Sequence, residues 1–104
     1  MEKRLSPRIR RRLVVEYEDA GGRVTAFTHD LSPTSFFVVT RRGMARGSGL
    51  RAWLHVPNGG RLEVIGEVSR SGRTISAGSI ASGFSLTVTK FLEEYLRLVD
   101  AMGG

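Results

Sequence analysis

Two short groups of polar residues have the types and spacing of an anion-binding site. The first contains Arg4 and Arg8 in the segment RLSPR, which is too polar to belong to a core. The second contains Asp30, Ser32 and Ser35 in the segment DLSPTS. Guanidinium groups match phosphate oxygens or the O6/N7 edge of guanine, and a carboxylate accepts the complementary guanine N–H groups. Together the two groups favour a ligand that carries both phosphate and guanine.

The length of the chain limits it to one domain, and its charge favours an anionic partner. The 104 residues suffice for a single modest core. The net charge is +6, and six of the sixteen basic residues lie in the first twelve positions. Such a cluster favours a nucleotide, a nucleic acid or an acidic lipid headgroup as partner, with a solvated tail as the alternative.

The composition also bears on location. The sequence contains no cysteine, which excludes disulfides and thiolate metal sites and fits a reducing cytoplasm. The longest unbroken apolar stretch covers only residues 36–39, and no apolar region of a secretory signal follows the basic start. We therefore expect a cytoplasmic protein without a membrane span.

No catalytic or metal-binding motif is found in the sequence. His29 and His55 are the only histidines, and neither has a carboxylate or cysteine at ligand spacing. The sequence has neither a G-x-S-x-G elbow nor a G-x-x-x-x-G-K-[ST] phosphate loop. We expect no enzymatic activity, no metal and no resident cofactor.

The elements that must position the polar groups are mainly β-strands. Alternation of apolar and polar residues predicts strands over residues 13–18, 23–29, 36–40, 50–56, 62–68 and 83–89. The Ser- and Gly-rich segment 70–79 is predicted to be a loop. Six short strands with hairpin connections indicate a small antiparallel barrel.

After the last strand the apolar period changes to three and four residues, which predicts an amphipathic helix over about residues 90–102. Thr89 is the predicted N-cap, and Gly103 is the predicted stop. The apolar face of the helix, which includes Tyr95, is expected to cover an open side of the barrel.

These motifs and this order of elements resemble the PilZ domain family over nearly the whole chain. In that family a basic segment with RxxxR precedes a six-stranded antiparallel barrel, and D/N-x-S-x-x-G lies between early strands. Here RLSPR, DLSPTS and the segment Ile80–Phe84 carry the likeness. The resemblance implies a mainly all-β fold, a six-stranded antiparallel PilZ-type barrel with a C-terminal helix. Residues 1–12 would form a flexible basic arm, and residues 13–104 the barrel and helix.

The resemblance further implies a cytoplasmic receptor for the second messenger cyclic di-GMP in bacterial signal transduction. Arg4 and Arg8 would grip phosphates and guanine edges, Asp30 would hold a guanine, and Ser32 would add a hydroxyl contact. Lys3 occupies the position before the motif, which influences in the family whether one nucleotide or a stacked pair binds. Ordering of the arm over the barrel would present a new surface to an unidentified protein partner.

Several alternatives stay open at this point. The pair Arg8 and Arg12 also satisfies RxxxR. Ser35 stands where the family has glycine, and a left-handed backbone there would cost about 1 kcal/mol for serine. A degenerate adaptor that does not bind the nucleotide is therefore the second hypothesis. Gly83 resembles a late family glycine and is a secondary candidate for the site, whereas Asp30 can also be read as a plain turn residue.

A third hypothesis is a small β-barrel that binds RNA or DNA through its arginine arm. This class also requires aromatic residues interleaved with basic ones on an exposed strand face. Only Arg51 and Trp53 hint at such a pattern, so the sequence favours a nucleotide over a nucleic acid.

Overall fold

The computed structural model describes residues 8–76 and 79–103, and within them the chain forms six strands and one helix. The elements are β1 Val14–Asp19, β2 Gly22–Leu31, β3 Ser35–Val39, β4 Gly49–His55, β5 Arg61–Ser76, β6 Ser79–Lys90 and α1 Leu92–Gly103. All paired strands are antiparallel, and they close a barrel in the spatial order β1-β2-β3-β6-β5-β4. The predicted fold class, a mainly all-β six-stranded antiparallel barrel with a C-terminal helix, is confirmed.

The core fills the barrel with the apolar residues that alternate along each strand. Val15 and Tyr17 of β1 are fully buried, as are Phe36 of β3 and Phe84 of β6. The helix adds Tyr95 to the same cluster, so α1 packs against the barrel as predicted. Burial of large side chains of this kind stabilises the fold by about 1.5–3 kcal/mol each.

Strands β5 and β6 continue beyond the barrel as a two-stranded ribbon, so the predicted loop over residues 70–79 is wrong. Pairing of β4 with β5 extends only to Glu67, and pairing of β3 with β6 begins at Gly83. Between these points and the tip, β5 and β6 pair with each other and with no other strand, as far as Ser76 and Ser79. A ribbon outside the barrel has no core face, so its sequence lacks the apolar alternation by which strands are recognised.

The helix begins later than predicted, and Thr89 is not its N-cap. The Thr89 hydroxyl donates to the carbonyl of Ile65 at 3.2 Å, which ties it to β5. The first helical hydrogen bond runs from the Tyr95 amide to the Phe91 carbonyl at 3.1 Å. Phe91 has a φ of 64°, a left-handed conformation that turns the chain from β6 into α1. Gly103, the predicted stop, is the last helical residue. No helix in residues 8–76 and 79–103 is long and apolar enough to cross a membrane.

A charged cluster on the outside of β1 gives the fold a testable pH dependence. Hydrogen bonds from His55 (2.8 Å) and Arg23 (2.9 Å) hold the pKa of Glu16 below its ordinary value of 4.5. Because folding lowers this pKa, the cluster stabilises the fold above that value, and the contribution is lost as pH falls through the lowered value. We expect the free energy of unfolding, measured with urea, to fall less steeply between about pH 6 and about pH 3 in Glu16→Gln than in the wild type. Glu94→Gln on the exposed face of α1 is the control, and equal slopes in both variants would contradict the prediction.

Candidate functional site

The segment DLSPTS covers the end of β2, a compact turn at residues 32–34 and the first residue of β3. The Ser32 amide donates to the Ser35 carbonyl at 2.8 Å, and the Ser35 amide donates back to the Ser32 hydroxyl at 3.2 Å. The two hydroxyl oxygens lie 3.0 Å apart. The turn is therefore closed by its own side chains, and each serine hydroxyl has a partner in the other.

Tyr95 fixes this turn from the helix side. Its hydroxyl lies 2.8 Å from the carbonyl oxygens of both Ser32 and Ser35. Burial raises the pKa of the Tyr95 phenol, which therefore stays protonated and donates its single proton between the two carbonyls. Sequence reasoning assigned Tyr95 to packing and missed this contact. The available signal was a tyrosine at a buried helix position, since a buried tyrosine hydroxyl needs a polar partner.

Asp30 is the buried charge of the site. Its side chain is only 2% exposed, and one carboxylate oxygen lies 2.6 Å from a guanidinium nitrogen of Arg8, whose side chain is 44% exposed. The other oxygen lies 3.0 Å from Nδ1 of His29. The structure thus brings together Arg8 of the first motif and Asp30 of the second.

His29 completes the contacts of this carboxylate. Since a carboxylate only accepts, Nδ1 of His29 is the donor, and the buried Nε2 has no partner among the described residues. Sequence analysis found no carboxylate at ligand spacing from either histidine, and in the structure each contacts one carboxylate, His29 that of Asp30 and His55 that of Glu16. The contact of His55 with Glu16 joins β4 to β1 and cannot be seen in sequence spacing, whereas that of His29 is with the next residue of β2. In the part of the chain that the structure describes, no group of three or more potential metal ligands is present.

The basic segment reaches Asp30 because it runs alongside β2. Ile9 and Leu31 exchange two backbone hydrogen bonds, of 2.7 and 2.9 Å. This bridge places the preceding residue, Arg8, beside the end of β2, where Asp30 lies. Within residues 8–12, therefore, the arm makes backbone contacts with the barrel.

Arg12 takes a different position from Arg8. Its guanidinium lies 4.2 Å from the ring centroid of Phe27, in a groove of about 390 Å³ that His29 also lines. The two alternative partners of Arg8 in an RxxxR pair are thus Arg12, which stacks on an aromatic ring, and Arg4. Arg4 and Lys3 lie outside the described residues.

The structure bears on Ser35 and Gly83 as well. Ser35 begins β3 with an ordinary backbone, since Phe91 is the only non-glycine residue with positive φ in the described parts of the chain. The left-handed strain expected from a missing glycine does not arise. Gly83 pairs with Val39, at the opposite end of β3 from Ser35, which pairs with Thr87. The fold does not bring Gly83 to the Asp30–Ser35 turn.

Comparisons with known proteins agree with this architecture. A family model described as PilZ domain matches residues 2–93. A solved structure, that of the Bacillus subtilis inhibitor of motility (MotI/DgrA), is similar with a TM-score of 0.71 at 16% sequence identity. The similarity covers 98% of this chain and 52% of that one, so the chain spans about half the length of that structure. No curated protein matches the sequence.

Proposed function

The chain belongs to the PilZ domain family, and from this membership we propose that it is a non-catalytic receptor for cyclic di-GMP that signals through protein contacts. The nucleotide would bind between the basic arm and the barrel. The observation that supports this proposal is the contact of 2.6 Å between Arg8 and Asp30. These are the residues of the two motifs that would hold the phosphate and guanine groups.

The proposed binding step is an exchange of partners. Asp30 is buried and already accepts from Arg8 and His29, so a guanine reaches it only when Arg8 moves away. A phosphate oxygen then replaces the carboxylate on Arg8, while guanine N–H groups replace Arg8 on Asp30. Neither charge is left unpaired at the end of the exchange, which matters because an unpaired buried carboxylate is strongly destabilising.

The remaining residues have supporting roles in this proposal. Arg4 would bind the other side of the nucleotide from the arm, and Lys3 would influence whether one or two nucleotides bind. Ser32 and Ser35 would hold the turn in shape and offer hydroxyls to the ligand. The protein would act in the cytoplasm on a protein partner.

Titration calorimetry with cyclic di-GMP tests the proposal. We expect the wild type to bind cyclic di-GMP with a dissociation constant in the micromolar range or below. Arg8→Ala should raise this constant by about ten- to a hundredfold, because a charge-assisted contact is lost. Arg4→Ala should weaken binding less. Arg12→Ala is the matched control, since Arg12 is an arm arginine that stacks on Phe27 instead of contacting Asp30.

Unchanged affinity in Arg8→Ala would overturn the assignment of the site. A larger loss in Arg12→Ala than in Arg4→Ala would assign the motif to Arg8 and Arg12. Binding of an oligonucleotide that falls steeply with salt would instead favour the nucleic-acid hypothesis.

The second candidate function is an adaptor that does not bind the nucleotide. The observation that favours it is the hydroxyl of Ser35, which lies in the turn 3.0 Å from the Ser32 hydroxyl. At this position the family motif has glycine and therefore no side chain. Absence of binding in the wild type together with binding by Ser35→Gly would support this candidate. Equal binding by both proteins would exclude it.

A further inference from the structure

A second concave surface lies at the other end of β3, where the β5–β6 ribbon leaves the barrel. The cavity measures about 460 Å³ and is lined by the turn at residues 40–43 and by both strands of the ribbon. We define the mouth surface as Arg41, Arg42, Ser71, Arg73, Ile80 and Ser82. The aromatic pair Tyr17 and Phe84 is fully buried in the adjacent end of the core, with ring centroids 5.3 Å apart.

The mouth surface carries positive charge that the described residues do not neutralise. The sequence has no acidic residue between Asp30 and Glu63. Arg42 pairs with Asp19 at 2.9 Å. Arg41 and Arg73 make no ion pair within residues 8–76 and 79–103. Two exposed guanidinium groups on different elements therefore face solvent at one concave site.

The turn that carries Arg41 is held in place by the barrel. The Thr40 hydroxyl oxygen accepts from the Tyr17 hydroxyl at 3.2 Å and from the Arg42 amide at 3.1 Å. The Thr40 amide donates to the Ser82 carbonyl at 3.0 Å. Binding groups on a fixed backbone lose less conformational freedom when a partner docks, which favours binding.

The ribbon adds apolar surface beside this charge. Arg73 is the cross-strand partner of Ser82, and Ile80, two residues before Ser82 in β6, lies on the same face. The Ile80 side chain is 63% exposed. Guanidinium groups beside an exposed aliphatic side chain suit a polypeptide that carries both carboxylates and an apolar residue. A single-stranded nucleic acid would need exposed aromatic rings for its bases, whereas Tyr17 and Phe84 are buried.

We propose that the mouth surface docks an acidic segment of a partner protein, with its carboxylates on Arg41 and Arg73 and an apolar side chain on Ile80. Bidentate pairing of arginine with carboxylate supplies the specificity. The inference rests on the signalling through protein contacts proposed above, for which it names the partner surface. The mouth and the Asp30–Ser35 turn lie at opposite ends of β3, about 15 Å apart, so nucleotide and partner can bind together.

Fluorescence anisotropy with a defined peptide tests this proposal. The probe is a short fluorescein-labelled peptide in which pairs of glutamate alternate with single leucines, and its counterpart has glutamine in place of every glutamate. We expect the acidic peptide alone to bind, with affinity reduced about tenfold in the double variant Arg41→Gln/Arg73→Gln. Ile80→Ser should reduce the affinity several-fold without a change of charge.

The matched control is Arg51→Gln/Arg97→Gln, which removes the same charge from exposed sites elsewhere and should bind almost as the wild type does. Equal losses in the two double variants would overturn the proposal, because they would reveal only a general charge effect. Failure of the wild type to bind the peptide would overturn it as well. If an oligothymidine bound more tightly than the acidic peptide, and Arg41→Gln/Arg73→Gln lost that binding, the partner of the mouth surface would be a nucleic acid and not a protein.

A second measurement separates this inference from the nucleotide proposal. Amide chemical shifts of the wild type should change at residues 40–43 and 80–83 with the peptide, and at residues 29–35 with cyclic di-GMP. Peptide binding without any nucleotide response would leave the mouth surface standing and the receptor function refuted. A nucleotide response without peptide shifts at the mouth would refute the present inference alone.

Discussion

Replacing Gly83 with alanine is expected to destabilise the protein by about 3 kcal/mol or more, since overpacking against backbone atoms cannot relax by a side-chain rotation. A Cβ at this position would overlap the carbonyl oxygen of Val38 and lie 2.8 Å from its carbonyl carbon. It would also lie 3.1 Å from the amide nitrogen of Thr40. All three neighbours are backbone atoms of β3 or of the residue that follows it. The β3–β6 pairing must therefore open to accept even one methyl group.

Urea unfolding followed by circular dichroism measures this effect. Gly43→Ala is the control, because a Cβ there meets nothing within 4 Å. We expect Gly43→Ala to change the free energy of unfolding by no more than about 0.5 kcal/mol. If both variants were equally stable, the close approach of β6 to β3 at Val38 would be wrong.

Replacing Tyr95 with phenylalanine is expected to lower the free energy of unfolding by about 2 kcal/mol. The substitution removes one oxygen and leaves the ring in place, so packing is conserved. The lost hydroxyl is the donor that lies 2.8 Å from the carbonyls of Ser32 and Ser35. The Ser35 carbonyl keeps the Ser32 amide as a donor, but the Ser32 carbonyl loses the Tyr95 hydroxyl, and a buried acceptor that loses its donor contributes an unfavourable desolvation term of about 1–3 kcal/mol.

Tyr17→Phe is the matched control for this substitution. Tyr17 is equally buried, but its hydroxyl contacts the Thr40 hydroxyl at 3.2 Å, and that oxygen retains the Arg42 amide as a second donor. We expect a loss of about 0.5–1 kcal/mol, because only one ordinary hydrogen bond disappears. Equal losses in the two variants would show that Tyr95 does not hold the turn.

The sequence was sufficient to predict the barrel and its helix, because both bury one face. Val15 and Tyr17 repeat every second residue, whereas Tyr95 and Val99 repeat every fourth, and the structure buries all of them. The β5–β6 ribbon was not predicted, for the opposite reason. Ser71 and Gly72 have no core to face, and a strand without a buried side shows no periodicity in sequence.

The candidate site was predicted as residue types but not as contacts. Arg8 and Asp30 stood out because charge and spacing are visible in one dimension. The contacts of Asp30 with His29 and of Tyr95 with Ser32 depend on the bulge near His29 and on where α1 docks. Neither contact can be read from a local sequence pattern. The contact of Tyr95 with Ser32 joins elements far apart in sequence, and that of His29 with Asp30 depends on a local break in strand register.

The ion pair between Arg8 and Asp30 has a consequence for the dose at which the proposed receptor would respond. When a site is closed by its own ion pair, its apparent affinity for the ligand equals the affinity of the open site multiplied by the fraction of molecules that are open. The strength of this internal pair would therefore act as a set-point for the nucleotide concentration. Evolution could raise or lower that threshold by altering the surroundings of Asp30, such as His29, while every contact to the ligand stayed the same.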